Sequence, residues 1–374
     1  MIELLESHVV YENPKPMLQS RHGYFPGVVQ LPTGELLALF VIGEAFESVD
    51  LTTYVSRSRD LGKTWELQGP LYDTSRDAPR TSDFLRPQVL HDGTLIALGF
   101  RFHRNDPEQP IAIAETDGVL PGDDVVSFST DEGRTWTEPR VIPRSTPELL
   151  EIPCSCLQLQ SGDIVATAGL FRMPDGTNPS GQFGVLLRSS DNGRTWDDHV
   201  RYFESPDRTV AAYESHVCEM QAGRLVAICW AFQIDAGKYL PNQVTVSHDN
   251  GYSWSAPIDT GHLGQPASIL YLGGERLLSS HAHRGQQVGL YVRLVDFTGD
   301  RWTALEEQVI WGASMGQQTR DGTTFVQHAR SIRFGQGALL RLSNGDILAT
   351  HWCVVDGQGK ILTHRLRISD DTAI

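Results

Sequence analysis

Short apolar runs alternate with turn-forming residues along this chain at a regular interval. An apolar residue, a turn that usually contains Gly, and an apolar strand recur as "LPTGELLAL" from Leu31, "LHDGTLIAL" from Leu90, "LQSGDIVAT" from Leu159, "MQAGRLVAI" from Met220, "LGGERLLSS" from Leu272 and "LSNGDILAT" from Leu342. Apolar strands on both sides of a tight turn predict a β-hairpin in each copy. The first residues are 59, 69, 61, 52 and 70 residues apart, a mean of about 62. An interval of that length holds about four short strands, and a lone sheet of four cannot bury both of its faces. Radial packing of the copies removes the difficulty. The predicted fold is therefore all-β, a six-bladed β-propeller of four-stranded antiparallel blades, forming one unit over residues 1–374.

A second pattern is polar. "SRDLGKTW" from Ser58, "STDEGRTW" from Ser129, "SSDNGRTW" from Ser189 and "SHDNGYSW" from Ser247 all fit S-x-D-x-G-x-[T/S]-W. They fall about 24 to 38 residues after the hairpin glycines, where a turn late in the blade is expected. Asp and Ser can bond the turn backbone, Gly can take positive φ and Trp can cover the blade edge. "DFTGDRW", Asp296 to Trp302, reads as a decayed fifth copy, and the last repeat has none.

Composition narrows the partners. With 40% apolar and 21% charged residues, 35 Gly and 20 Pro, the chain reads as a turn-rich globule. A formal charge of −15 disfavours nucleic acid or an anionic membrane as a partner. No export signal is legible in "MIELLESHVV" and no apolar run reaches the length of a membrane span, so the expected location is cytoplasmic. The cysteines, Cys154, Cys156, Cys218, Cys229 and Cys353, are too sparse for a disulfide framework and read as buried packing residues.

The four polar strings resemble the Asp-boxes of the sialidase (neuraminidase) superfamily, and six repeats match its six-bladed propeller across nearly the whole chain. In that family the boxes lie on turns away from the active site. The resemblance implies three arginines on a substrate carboxylate, a Tyr nucleophile activated by a Glu, and an Asp as acid/base. Carried over by position, Tyr24 stands in "YFP" where the first arginine of an R-I-P motif is expected, and Trp230 stands for the second. Arg284, in "HAHRGQQVGLYV", fits the third. Gln336, nine residues before Gly345, occupies the place of the nucleophile. Glu214, nine residues before Gly223, matches the activating glutamate, and Asp50 matches the acid/base region. Hydrolysis of sialosides is therefore expected to be poor.

Other polar residues recur at equivalent blade positions: Arg101 and His103 after the second hairpin, Arg172 after the third, and His281, His283 and Arg284 after the fifth. If the strands run radially, these ends converge on an electropositive pocket, with His328, Arg330 and Arg333 of "HARSIR" adding to it. A three-His metal site across the axis is conceivable from His22, His103, His216, His281, His283 and His351, but no dedicated ligand motif is present and no metal or other cofactor is expected. The leading functional expectation is a glycosidase that removes a terminal, acidic or heavily hydroxylated sugar, with Glu214 and Glu151 as a substitute catalytic pair. One alternative is a polysaccharide lyase acting on uronates, using His216, His283 or Tyr213. The other is a non-catalytic propeller that binds glycan or protein.

Overall fold

The computed structural model describes residues 1–73, 80–265, 267–285, 287–314 and 332–369. Each predicted hairpin is the first pair of strands in a sheet. In blade I, His22–Gln30 pairs with Leu36–Gly43, which pairs in turn with Thr52–Ser58 and Glu66–Pro70. Five more sheets repeat this order, giving six antiparallel blades. The second strand of a blade is apolar on both faces because neighbouring sheets cover both. All of Leu36–Gly43 and all of Ile164–Leu170 are buried. The outermost strand Glu66–Pro70 has one covered face at most and is almost wholly exposed.

Blade VI is assembled from both ends of the chain. Phe334–Arg341, Ile347–Val355 and Gln358–Ile368 supply three strands, and Ile2–Tyr11 pairs antiparallel with the last of them, from Ile2 opposite Ile368 to Tyr11 opposite Ile361. This joins the two ends of the chain in one blade and closes the ring. It also explains the missing sixth copy of the polar string, because blade VI has no turn between its third and fourth strands.

The four polar strings form those third-to-fourth turns. Asp131 accepts bonds from Ser129 Oγ at 2.8 Å, from the Thr135 amide at 2.9 Å and from Thr135 Oγ1 at 2.5 Å, while Trp136 Nε1 donates to the Gly133 carbonyl at 3.2 Å. The same bonds recur around Asp60, Asp191 and Asp249. These donors hold all four carboxyls down at about 2. Gly133 has φ +78°, and a Cβ there would meet Leu37 at 2.9 Å. Thr298–Asp300, within the decayed copy, is a short 3-10 turn at the equivalent place in blade V.

One expectation about geometry is corrected. The first strands stand side by side around the axis, and the second-strand ends bring Phe100, Phe102, Phe171 and Trp230 to one pocket, whereas Arg101, His103 and Arg172 do not line it. The first strands of blades I, II and VI, with Cys154 and His216 of blades III and IV, wall a cavity on the hairpin-turn side. Among the described residues no helix is long and apolar enough to cross a membrane.

Candidate functional site

Three inner strands carry the same irregularity in their ladders. In blade IV the register runs from Tyr213 opposite Trp230 to His216 opposite Ile228, so Glu214 and Ser215 together face Cys229. This is a β-bulge, and Glu214 takes φ +45°, a strained conformation for a residue with a side chain. Blade I has the same step between Tyr24 and Gly27, with Phe25 at φ +53°, and blade VI has it between Gly335 and Ala338. Gln336 therefore sits at the bulge position matching Glu214, and its side chain lies outside the described residues.

The bulge releases the Glu214 amide from the ladder. That N–H donates to Glu151 Oε2 at 2.9 Å. Glu151 ends the short strand Leu150–Glu151, after which "IPCSC" interrupts the inner edge of blade III, because Pro153 cannot donate to a ladder. Gly169 lies behind it, where a Cβ would stand 3.2 Å from Glu151 Oε2. Two carboxyl groups from adjacent blades thus meet beside the axis.

Arg86, from the inner strand of blade II, is buried beside both. Burial raises the pKa of Glu151 and Glu214, and Glu214's negative charge raises Glu151 further. Arg284 and Arg86 oppose the rise at Glu214, which is pushed up to about 7. Both shifts favour the protonated form relative to an ordinary glutamate. Burial pulls Arg86 down to about 9, so it stays cationic.

Glu151, Glu214, Arg86 and Trp230 line one pocket. The pocket opens where first strands begin and second strands end, on the face opposite the Asp and Trp turns. Trp230 stacks on Tyr239, centroids 5.8 Å apart, and tilts against Tyr213, which also lines the pocket. Arg284 stands behind Glu214, buried, with Nε donating to the Phe334 carbonyl at 2.9 Å.

The remaining sequence candidates lie elsewhere. Asp50 folds its own loop: Oδ1 accepts from the Glu44 amide at 3.0 Å and from Ser48 Oγ at 2.6 Å. Glu47 of the same loop reaches the pocket instead. Arg101 and His103 both bind Asp123, at 3.0 and 2.9 Å, on the blade face opposite Phe100 and Phe102, as the two-residue period of a strand requires. Arg172 pairs with Asp117 at 3.0 Å. His216 lies in the axial cavity on the hairpin-turn side, and burial and Arg86 pull it down to about 3. His283 packs edge-on against Tyr291. Tyr24 is buried against Phe46 and Trp352 and borders an outer groove that Arg333 also lines. His328 and Arg330 are outside the described residues.

The histidines do not converge. His351 stacks on His364, and His281 on Tyr291. Among the described residues no group of three His, Cys, Asp or Glu side chains is placed to hold a metal ion. Arg86, Glu47 and the phenylalanines around the pocket were not singled out from sequence. The alternation of "FLRP" and "LGFRFH" contains part of that signal, but which face is inward depends on the neighbouring blades.

No family model matches the chain, and the search of curated proteins gave no match. Solved structures do match. A protein of unknown function from Dyadobacter fermentans is 22% identical, with a TM-score of 0.75 over 98% of this chain and 99% of its own. An α-L-arabinanase from Penicillium chrysogenum, complexed with arabinobiose, is 17% identical, with a TM-score of 0.65 over 97% of this chain and 98% of its own. A Trypanosoma rangeli sialidase is 17% identical, with a TM-score of 0.64 over 98% of this chain and 59% of its own. The chain has the sialidase-like fold, a six-bladed β-propeller similar to those of this sialidase and the arabinanase.

Proposed function

We propose that this protein is a glycosidase that removes a terminal sugar, with Glu151 and Glu214 as its catalytic pair. The observation that carries the reading is the meeting of two carboxyls from adjacent blades in an enclosed pocket, joined by the Glu214 amide and raised by shared burial. A pair that holds one proton near neutral pH supplies both an acid and a base. The protonated member gives its proton to the glycosidic oxygen as the bond to the anomeric carbon breaks. The ionised member attacks that carbon, or takes a proton from the water that does. Arg86 and Arg284 limit the pair's rise and keep one member ionised. Glu47, on the loop between the pocket and the outer groove, lines both.

Sialoside hydrolysis fits poorly, since Tyr24 and Trp230 stand where the resemblance calls for arginines and Gln336 where it calls for the nucleophile. Of the three lyase candidates, His216 and His283 lie outside the pocket, and Tyr213 lines it with a hydroxyl whose pKa burial raises, which favours the carboxyl pair over the lyase reading. An intracellular setting belongs to the reading, on five free and buried thiols.

The test is turnover of a panel of aryl glycosides by wild type and by Glu214→Gln. Wild type should cleave at least one non-sialic glycoside, and the variant should lose about a hundredfold or more in kcat, the usual contribution of general acid/base catalysis. Near wild-type turnover by Glu214→Gln would overturn the assignment.

A further inference from the structure

The walls of this pocket carry information that the catalytic pair does not. Phe25, Phe46, Phe84, Phe100, Phe102 and Phe171 come from three blades and one loop and form a continuous aromatic surface. Phe84 stacks on Phe100 at 5.2 Å, Phe171 meets Phe100 at 5.4 Å and Phe102 at 5.7 Å, and Phe25 joins Phe84 to Phe46 at 5.6 and 5.4 Å. Ile111 and Val119 extend the surface.

Among the described residues, the polar side chains that line the pocket are Glu47, Arg86, Glu151, Tyr213, Glu214 and Trp230. Three acids face one guanidinium there. Arg86 already lies beside two of those acids, so a substrate carboxylate would have to compete with them for it. A hydroxyl pressed against the phenylalanines would give up water and find no hydrogen-bond partner in those rings, whereas a methyl would gain contact. The expectation of an acidic or heavily hydroxylated sugar does not suit these walls.

We propose that the pocket selects a terminal sugar bearing methyl groups where common hexoses carry free hydroxyls, namely a 6-deoxy- or O-methyl-hexose. The catalytic pair then works at the anomeric carbon while the methyl-bearing edge packs against the aromatic wall. This rests on the glycosidase reading for the reaction but not for the binding preference.

The experiment compares para-nitrophenyl 6-deoxyhexosides and O-methyl hexosides, in both anomers and in manno, galacto and gluco configurations, with the parent hexosides, uronides and sialosides. In parallel, calorimetry measures binding of the corresponding methyl glycosides to Glu214→Gln. A methyl-bearing substrate should exceed its parent by about tenfold to a hundredfold in kcat/KM, the range an apolar pocket achieves against an added hydroxyl. Uronides and sialosides should be the poorest. Phe46→Ala, on the mouth loop outside the sheets, should bring the methyl-to-parent ratio toward one.

Preferred cleavage of a parent hexoside, uronide or sialoside would overturn the specificity and leave the hydrolase standing. Selective binding of a methyl-bearing glycoside with no cleavage of any would uphold the specificity and overturn the hydrolase. Neither binding nor cleavage across the panel would overturn both, and an unchanged ratio in Phe46→Ala would remove the aromatic wall as its cause.

Discussion

The Asp and Trp turns and the axial pocket are both built around carboxyl groups, under opposite conditions. At the turns, Asp60, Asp131, Asp191 and Asp249 are close to solvent and surrounded by local donors from their own eight-residue strings, and each is held near 2. In the pocket, Glu151 is buried and Glu214 half-buried, they influence each other's charge, and both are raised. The first arrangement stabilises an ionised group and uses it to hold a turn. The second holds a proton in reserve. Local sequence is sufficient for the former, and the latter requires strands far apart in the chain to meet.

Three experiments would break or sharpen this contrast. The largest effect is expected at Arg86, the cation beside the buried pair. Arg86→Met keeps most of the side-chain length and leaves the carboxyls without their shared partner, so stability should drop by about 3 to 5 kcal/mol, the usual result of removing one side of a buried charge cluster. Urea denaturation would measure it, and a loss below about 1 kcal/mol would show that the pair does not depend on Arg86. At the turns, Asp131→Ala strands four donors and should cost about 1 to 3 kcal/mol while turnover per folded molecule stays near wild type. A loss of turnover without a loss of stability would erase the distinction between the regions.

The subtlest expected effect is in the pH dependence of stability, where the two regions should act on opposite limbs. A carboxyl whose pKa rises on folding binds an extra proton in the folded state, so its stabilisation is present below the unfolded value and lost as pH climbs through the folded one. Glu214 should therefore erode stability from about pH 4.5 to beyond 7, and Glu214→Gln should flatten that limb. Asp124, buried and pushed up to about 8, adds a slope of the same sign that the variant leaves in place. The turn aspartates are lowered on folding, so their stabilisation is lost as pH falls from about 4 toward 2, and Asp131→Ala should flatten the acid limb alone. Thermal melts from pH 2 to 9 on the three proteins would show it, and identical profiles would contradict both assignments.

What the sequence determined by itself was the repeat. Six hairpins and four polar turns are legible because each is made within a dozen residues by turn chemistry and apolar alternation, and both recur in the structure in the predicted order. Glu151 and Glu214 were also legible as candidates, being carboxylates on inner strands ahead of a hairpin. Tertiary structure alone decided that Ile2–Tyr11 closes the ring, that Glu47 and not Asp50 reaches the pocket, and that Arg101 and His103 face away from it. It also brought Arg86 near both acids and turned six phenylalanines onto one cavity. The physical reason is range. A hairpin or a capped turn is settled by neighbours in sequence, whereas which face of a strand looks inward, and what charge it meets there, is settled by the blade packed against it, about 60 residues away in the chain.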